Sequence, residues 1–356
     1  KDEAWTLGLR WYPVEDLMIR AQQSRAFRAP AILELFLPAS TAFRGGTDPC
    51  DKAQITAGPS PATRRANCLT AFKALGLTEA DLNGFVSSVN SGTVRGLTGG
   101  NKALKNEVAE SWSLGFVYQP QQVKNLAISF DWVNIDILNA ITNPSLSGIL
   151  SSCYDSGAFP NQFCSRILRD KTGNLDSQNG FNSSYINAGY MFFQGLTLGV
   201  TYRTKLDDIA PFSQFENPGN LAFAFNLYNL NRDEASNLGN GTDLVNYRGT
   251  IGEPTVKWNL DTTWTRGPIS ASWKTTYAGE AWFDRTYTAE NRAPLKVKAH
   301  VLNDLAVKYT LRKGLDARVI VNNVFDAKPP RNANGSAVGV YDLTGRYFLV
   351  GLNAKF

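Results

Sequence analysis

At 356 residues, with 43% hydrophobic and 19% charged residues, the chain carries enough apolar mass to order itself, which excludes wholesale disorder. The net charge of +5 comes from interspersed acidic and basic residues without a polybasic run, so nucleic-acid binding has no electrostatic footprint. Twenty Phe, 13 Tyr and 8 Trp against 2 Met and 1 His suit β-structure with interfacial aromatics better than a helical enzyme.

The opening "KDEAWTLGLRW" has no basic start followed by an apolar run, so it is no signal peptide, and the chain is expected to be a fragment or a mature piece. It begins inside a strand pattern, because Trp5, Leu7, Leu9 and Trp11 share one parity. A turn at 14–16 leads into a strand from Leu17 to Arg25. A long loop is expected over about 28–107. Within it Leu77, Leu82, Phe85 and Val86 fit one face of a short helix over 76–89, either a lid or internal packing. Trp112, Leu114, Phe116 and Tyr118 form the next row, and Leu126, Ile128, Phe130 and Trp132 the one after.

A second long loop is expected over 142–182. Ile186, Ala188, Tyr190 and Phe192 share parity with Leu196, Leu198, Val200 and Tyr202, so 183–206 reads as one strand rather than a hairpin at Gln194-Gly195. A longer turn over 207–218 then precedes a strand over 219–231 and a loop over 232–252. Val256, Trp258, Leu260, Thr262 and Trp264 lead through Gly267-Pro268 into "ISASWKTTYAG", where Ile269, Ala271, Trp273, Thr275 and Tyr277 alternate with polar residues. After a loop over 283–296, Val301 to Leu311 turns at Lys313-Gly314 into Ala317, Val319 and Val321. A loop over 326–342 separates these from Phe348, Val350, Leu352, Ala354 and Phe356.

Eleven strands result, with short turns on one side and long Gly- and Asn-rich loops on the other. That asymmetry is the mark of an outer-membrane barrel rather than a soluble sandwich. The absence of ~18 consecutive apolar residues excludes a transmembrane helix and does not touch this reading, since barrel strands are half polar. An eleven-stranded sheet leaves two open edges, and bacterial single-chain barrels have even strand numbers, so the chain is expected to be part of a larger barrel.

The four cysteines fall in loop segments as two local pairs, Cys50 with Cys68 and Cys153 with Cys164, the simplest of three connectivities. Disulfides there would place the loops in an oxidising compartment. Free thiols are the alternative. The spacings are not Cys-x-x-Cys and the single histidine, His300, lies in a strand pattern, so neither a metal nor a cofactor is expected. No Gly-x-Ser-x-Gly, phosphate loop or His-Glu-x-x-His occurs, and no catalytic residue is assigned.

Four motifs in order carry a family resemblance: "SRAFRAPAILELF" at 24–36, "ALKNEVAESWSLGFVYQP" at 103–120, "VIVNNVFDAKPP" at 319–330 and "YDLTGRYFLVGLNAKF" at 341–356. Together they resemble the barrel of TonB-dependent outer-membrane receptors, with Val324 in place of the usual Leu. The resemblance implies an all-β transmembrane antiparallel barrel of 22 strands, of which 1–356 would be the C-terminal half. The implied partners are the N-terminal half with its plug, the TonB complex, outer-membrane lipid and the barrel-assembly machinery. That machinery would read Phe348, Val350, Leu352 and the terminal Phe356. The implied activity is energised import of a small-molecule, oligosaccharide or peptide cargo across the bacterial outer membrane. A passive porin or adhesin is the alternative, and a soluble carbohydrate-binding domain the remoter one.

Cargo candidates lie in "GEAWFDRTYTAENR" at 279–292: Trp282, Phe283, Arg285, Tyr287 and Arg292. Aromatics with arginine can grip a sugar, peptide or chelate, while an interfacial girdle would claim Trp282 and Phe283 instead. Asp131, Lys257, Asn259, Asp261 and Lys274 fall on the polar parity and are expected to face the lumen or plug. Arg28 and Glu34 are expected to pair as a rim contact.

Overall fold

The computed structural model describes residues 3–58, 60–239, 243–285, 287–290, 293–331 and 335–355. Eleven strands form one antiparallel sheet in sequence order: β1 (Trp5–Val14), β2 (Leu17–Arg28), β3 (Glu107–Tyr118), β4 (Leu126–Thr142), β5 (Ile186–Lys205), β6 (Asn220–Ser236), β7 (Val256–Arg266), β8 (Ile269–Ala278), β9 (His300–Arg312), β10 (Leu315–Asn322) and β11 (Tyr347–Ala354). These are the eleven expected strands, and the short segment Val245–Asn246 adds a twelfth beside the end of β6. Among the described residues β1 pairs only with β2 and β11 only with β10, so the sheet has two edges and is not closed. Among the described residues no helix is long and apolar enough to cross a membrane.

Register assigns the faces. Residues opposite one another in antiparallel strands share a face. One row runs Trp11, Ile19, Phe116, Phe130, Leu198, Leu227, Trp258, Tyr277 and Val301. The adjacent row on the other face runs Arg10, Arg20, Gly115, Asp131, Thr197, Tyr228, Lys257, Ala278 and His300. The first row is outward and suited to lipid, the second inward and polar. Trp258 and Tyr277 stack at 5.2 Å within the outward row.

The strands outgrow the expected pattern at the loop-bearing end. β6 was expected to end at 231 but continues to Ser236 through an irregularity opposite Gln194 and Gly195, which inverts its parity. β4 continues to Thr142 past an irregularity at Leu138, with Asn139 at positive φ.

The segments between β2 and β3 and between β4 and β5 build one compact cap. It holds four helices, α1 (Ile32–Phe36), α2 (Pro61–Ala74), α3 (Glu79–Gly84) and α4 (Leu146–Tyr154), and pairs Ser40–Arg44 with Val94–Thr98. Both segments contribute to a single apolar cluster that includes Phe72, Leu82, Phe85, Ile149, Leu150 and Phe181. Each fully buried side chain of this kind contributes about 1.5–3 kcal/mol. The helix expected over 76–89 is only Glu79–Gly84, so Leu77, Phe85 and Val86 lie outside it; Leu82 and Phe85 are nonetheless buried in the cluster with Leu77 packed against it, while Val86 is exposed.

α3 starts at a Thr78–Asp81 capping box. α2 and α4 fall where only loop was expected. α2 starts on Pro61, whose missing N–H costs nothing in a first turn. Asn67 Nδ2 ties α2 to the end of α4 by donating to the carbonyls of Tyr154 (3.0 Å) and Ser156 (2.8 Å). Cys50 bonds Cys68 and Cys153 bonds Cys164, the local pairing expected, and no free cysteine remains among the described residues.

Candidate functional site

The inward wall is a lattice of polar side chains fixed by register. Arg20 Nε donates to Asp131 at 2.8 Å. Ser24 and Ser111 share a hydrogen bond of 2.7 Å. Asn259 donates to Asp261 at 2.8 Å, and Lys274 stands opposite both Asp261 and Asp304. Asp131, Lys257, Asn259, Asp261 and Lys274 therefore all lie on the inward face, as their parity implied. At the rim Arg28 donates to Glu34 at 3.0 and 3.1 Å and also to Glu107. The hydrogen bond from Arg28 holds the Glu34 carboxyl below the usual carboxylate range. The pair is a clamp that ties α1 to the wall.

At the loop-bearing end of this inward face lies a cavity of about 290 Å³. Lys257, Thr276, His300 and Leu302 supply its wall, Gly252 and Pro254 one lip, and Val340, Tyr341 and Asp342 the roof. His300 is 9% exposed and its Nε2 has no hydrogen-bond partner among the described residues. Its ring meets Tyr341 edge-on at 5.3 Å. Lys257 Nζ donates to the Gly252 carbonyl at 2.7 Å, which anchors the lip to the wall. A cation, an imidazole, a phenol and a carboxylate thus converge on one concave space, the arrangement by which a pocket orients a polar small molecule. None of Tyr341, Asp342 or His300 stood out as a cargo contact in the sequence. Parity alone placed 257, 276, 278, 300 and 302 on one inward patch, and that was the available signal.

The 279–292 candidates divide. Ala281–Trp282 pairs with Lys296–Val297 in a short hairpin. Ala281 and Val297 turn inward and are buried with Val338, and Phe283 packs on the same cluster with Ile251 and Tyr341. Trp282 and Lys296 occupy the opposite side of that hairpin. There they join Arg248, Arg285 and Glu280 around a second cavity of about 360 Å³, floored by Val256 and Tyr277 of the outward face. Tyr287 is half-exposed at the loop tip, and Arg292 lies outside the described residues. The terminal Phe356 also lies outside them, while Phe348, Val350 and Leu352 are exposed on the outward parity of β11.

Comparison with known proteins agrees with this architecture. The profile of the family described as TonB dependent receptor-like, beta-barrel matches residues 2–324. No curated protein sequence matches the chain. Among solved structures, the chain is similar to the ferric enterobactin receptor PfeA of Pseudomonas aeruginosa, with a TM-score of 0.58 at 17% identity over 99% of this chain and 40% of that one. It is similar to the siderophore receptor PirA of Acinetobacter baumannii, with a TM-score of 0.58 at 14% identity over 99% and 41%. It is also similar to the FrpB iron transporter of Neisseria meningitidis, with a TM-score of 0.54 at 16% identity over 99% and 39%. The chain spans about 40% of the length of these structures.

Proposed function

The chain belongs to the TonB-dependent receptor β-barrel family, whose members are transport receptors of the bacterial outer membrane, and on that premise we propose that it supplies the C-terminal half of an energised importer. The proposed partners are an N-terminal barrel half with a plug, which would satisfy the two sheet edges, and the TonB complex. The barrel-assembly machinery would read Phe348, Val350, Leu352 and Phe356, and lipid would meet the outward rows. Strands β1 to β11 would cross the membrane with the cap and the other long connections outside the cell.

The observation that carries the cargo reading is the cavity under Val340, Tyr341 and Asp342, where a buried His300 with an Nε2 unpartnered among the described residues faces inward beside Lys257, Tyr341 and Asp342. A compact polar small molecule fits it, and the fold neighbours named for ferric enterobactin and iron make a ferric chelate the first cargo to try. Oligosaccharides and peptides would have to reach beyond it to the loop tip at Tyr287.

The test uses the complete receptor. Uptake of a panel of ferric chelates, sugars and peptides should need TonB, and His300→Ala with Tyr341→Ala should weaken binding of the transported compound about tenfold or more in purified protein. Uptake that persists without TonB would favour a passive porin. Unchanged binding in the double variant would remove this cavity from the cargo path.

A further inference from the structure

The second cavity opens on the opposite side of the wall from the lumen. Val256 belongs to the outward row that runs Leu9, Ala21, Leu114, Trp132, Leu196, Asn229 and Val256. The next outward row toward the loops reads Leu7, Gln23, Trp112, Asn134, Gln194 and Arg232. Over β4 to β6, the strands that lead toward this cavity, outward side chains therefore turn from apolar (Trp132, Leu196) to polar (Asn134, Gln194, Arg232), and the stacked Trp258 and Tyr277 lie just on the apolar side. A girdle of aromatics at such a switch marks the edge of the hydrocarbon. The cavity sits at that edge, with Tyr277 and Val256 as its floor.

Its walls are cationic. Arg248, Arg285 and Lys296 face one acid, Glu280. Each cation is held in place. Arg285 Nη1 donates to the Arg248 carbonyl at 2.7 Å, and Arg248 Nε donates to the Leu230 carbonyl at 2.8 Å. Lys296 Nζ lies 4.6 Å from the centroid of the Trp282 ring and 2.7 Å from Glu280. These bonds use carbonyls and one carboxylate, so a positive surplus points into a space that an apolar floor joins to the membrane edge.

We propose that this cavity seats the phosphorylated headgroup of an outer-leaflet lipid. Arginine and lysine would bind the phosphate by charge-assisted hydrogen bonds. Trp282 would lie at headgroup depth, where indole rings prefer to be, and the acyl chains would run down over Tyr277 and Trp258. That the leaflet is the outer one rests on the proposed receptor function. The lipid site itself rests only on the outward register, the cations and the apolar floor.

The experiment uses the full-length receptor purified in maltoside detergent, with diphosphoryl lipid A and its dephosphorylated form as probes and native mass spectrometry as the readout. Diphosphoryl lipid A should be retained at least about tenfold better than the dephosphorylated form. Arg248→Gln, Arg285→Gln and Lys296→Gln together should abolish that preference. Lys296→Gln alone, on the half-exposed hairpin, should reduce it several-fold and keeps the test decisive if the triple variant does not fold. Equal retention of the two lipids, or equal retention by wild type and both variants, would overturn the proposal. Displacement of the lipid by inorganic phosphate at millimolar concentration would identify a site for free anions and overturn the lipid assignment. Lipid retention is read without transport, so failure of the uptake assay leaves this result standing, and the reverse.

Discussion

The cap's stability should hinge on one buried ion pair. Asp48 is fully buried and Arg169 is 4% exposed by side chain. Arg169 donates to both Asp48 oxygens, at 2.9 and 2.7 Å, and also to the Gly173 carbonyl and the Tyr154 hydroxyl. Asp48 in addition accepts from Ser87 Oγ at 2.8 Å and from the Cys50 N–H at 3.0 Å. Asp48→Asn preserves shape while leaving the guanidinium buried without its counter-charge. Removing one partner of a buried pair costs about 3–5 kcal/mol, which corresponds to roughly two to three and a half powers of ten in an opening equilibrium.

Because the cap has its own core, that cost should appear as local opening. Hydrogen exchange in α2 and α4 of the full receptor should accelerate by roughly 100-fold or more, with β3 to β6 unchanged. Replacing both partners by apolar residues, Asp48→Leu with Arg169→Met, should recover much of the loss, because two well-packed apolar groups leave no charge stranded. Acceleration under about threefold in Asp48→Asn would refute the reasoning, and so would acceleration spread evenly over wall and cap.

The same pair sets a pH dependence. Burial pushes the Asp48 carboxyl up, but the charge and hydrogen bonds of Arg169, with those of Ser87 and Cys50, outweigh it and hold the carboxyl below its ordinary value. A group depressed in the folded state contributes stability that is complete above its unfolded pKa, near 3.9, and lost as pH falls toward the folded one. Exchange in α2 and α4 should therefore be flat from pH 7 to about 5 after correction for intrinsic rates, and rise only below about 4.

Reduction of Cys50–Cys68, which spans 18 residues, should loosen the cap by about 3 kcal/mol, seen as faster proteolysis of the 45–90 segment with the sheet intact. Asp131→Asn should cost less than about 1 kcal/mol in denaturant unfolding, because the Arg20–Asp131 pair is 42% and 26% exposed by side chain and water can replace it. Expressed without further strands, this chain should fail to give a heat-modifiable barrel band in membranes. About half of the backbone groups of β1 and of β11, strands of 10 and 8 residues, point away from the sheet, and at a few kcal/mol each in hydrocarbon they outweigh a typical folding free energy. Coexpression with an N-terminal barrel half should restore the band.

The wall was legible because most of its length alternates between an apolar outward row and a polar inward one. The cap was legible only in part, and particular residues say why. In α2 the stripe at i, i+4 and i+8 is Arg64, Cys68 and Phe72, all buried. Arg64 reaches the core by pairing with Asp155, so a charged residue occupies what period 3.6 requires to be apolar. In α4 the spacing Leu146, Ile149, Leu150, Cys153 and Tyr154 is that of a buried helix face, but Gly and Ser between them read as loop. The disulfides were legible because both pairs are local. The division of 279–292 into inward Phe283 and outward Trp282 was not, since it depends on hairpin pairing with Lys296–Val297, which residue type does not encode.

The same logic explains why strand ends escaped notice at the loop-bearing side. In β4 the large apolar residues are Leu126, Ile128, Phe130 and Trp132 on the outward parity, then Val133, Ile135 and Ile137 on the inward one, before Leu138 returns to the outward parity at the irregularity. Pairing with β5 runs unbroken from Leu126 through Leu138, so the backbone does not slip where the pattern does. What changes is the surroundings. In the proposed receptor the outward face below Trp132 would meet hydrocarbon and must be apolar. Above it Asn134 and Asp136 point outward with Gln194, Arg232 and Glu234 beside them, as a water-exposed face requires, while Val133, Ile135 and Phe193 point in. An inversion of apolar phase without a bulge is therefore a depth gauge written along the strand. β6 inverts as well, but by inserting a residue near Asn231, so Arg232 and Glu234 are carried to the outer surface by geometry rather than by composition. The two strands that flank β5 reach the same outward polarity at the same height by different means, and a period-two reading that assumes one solvent per face loses both at that row.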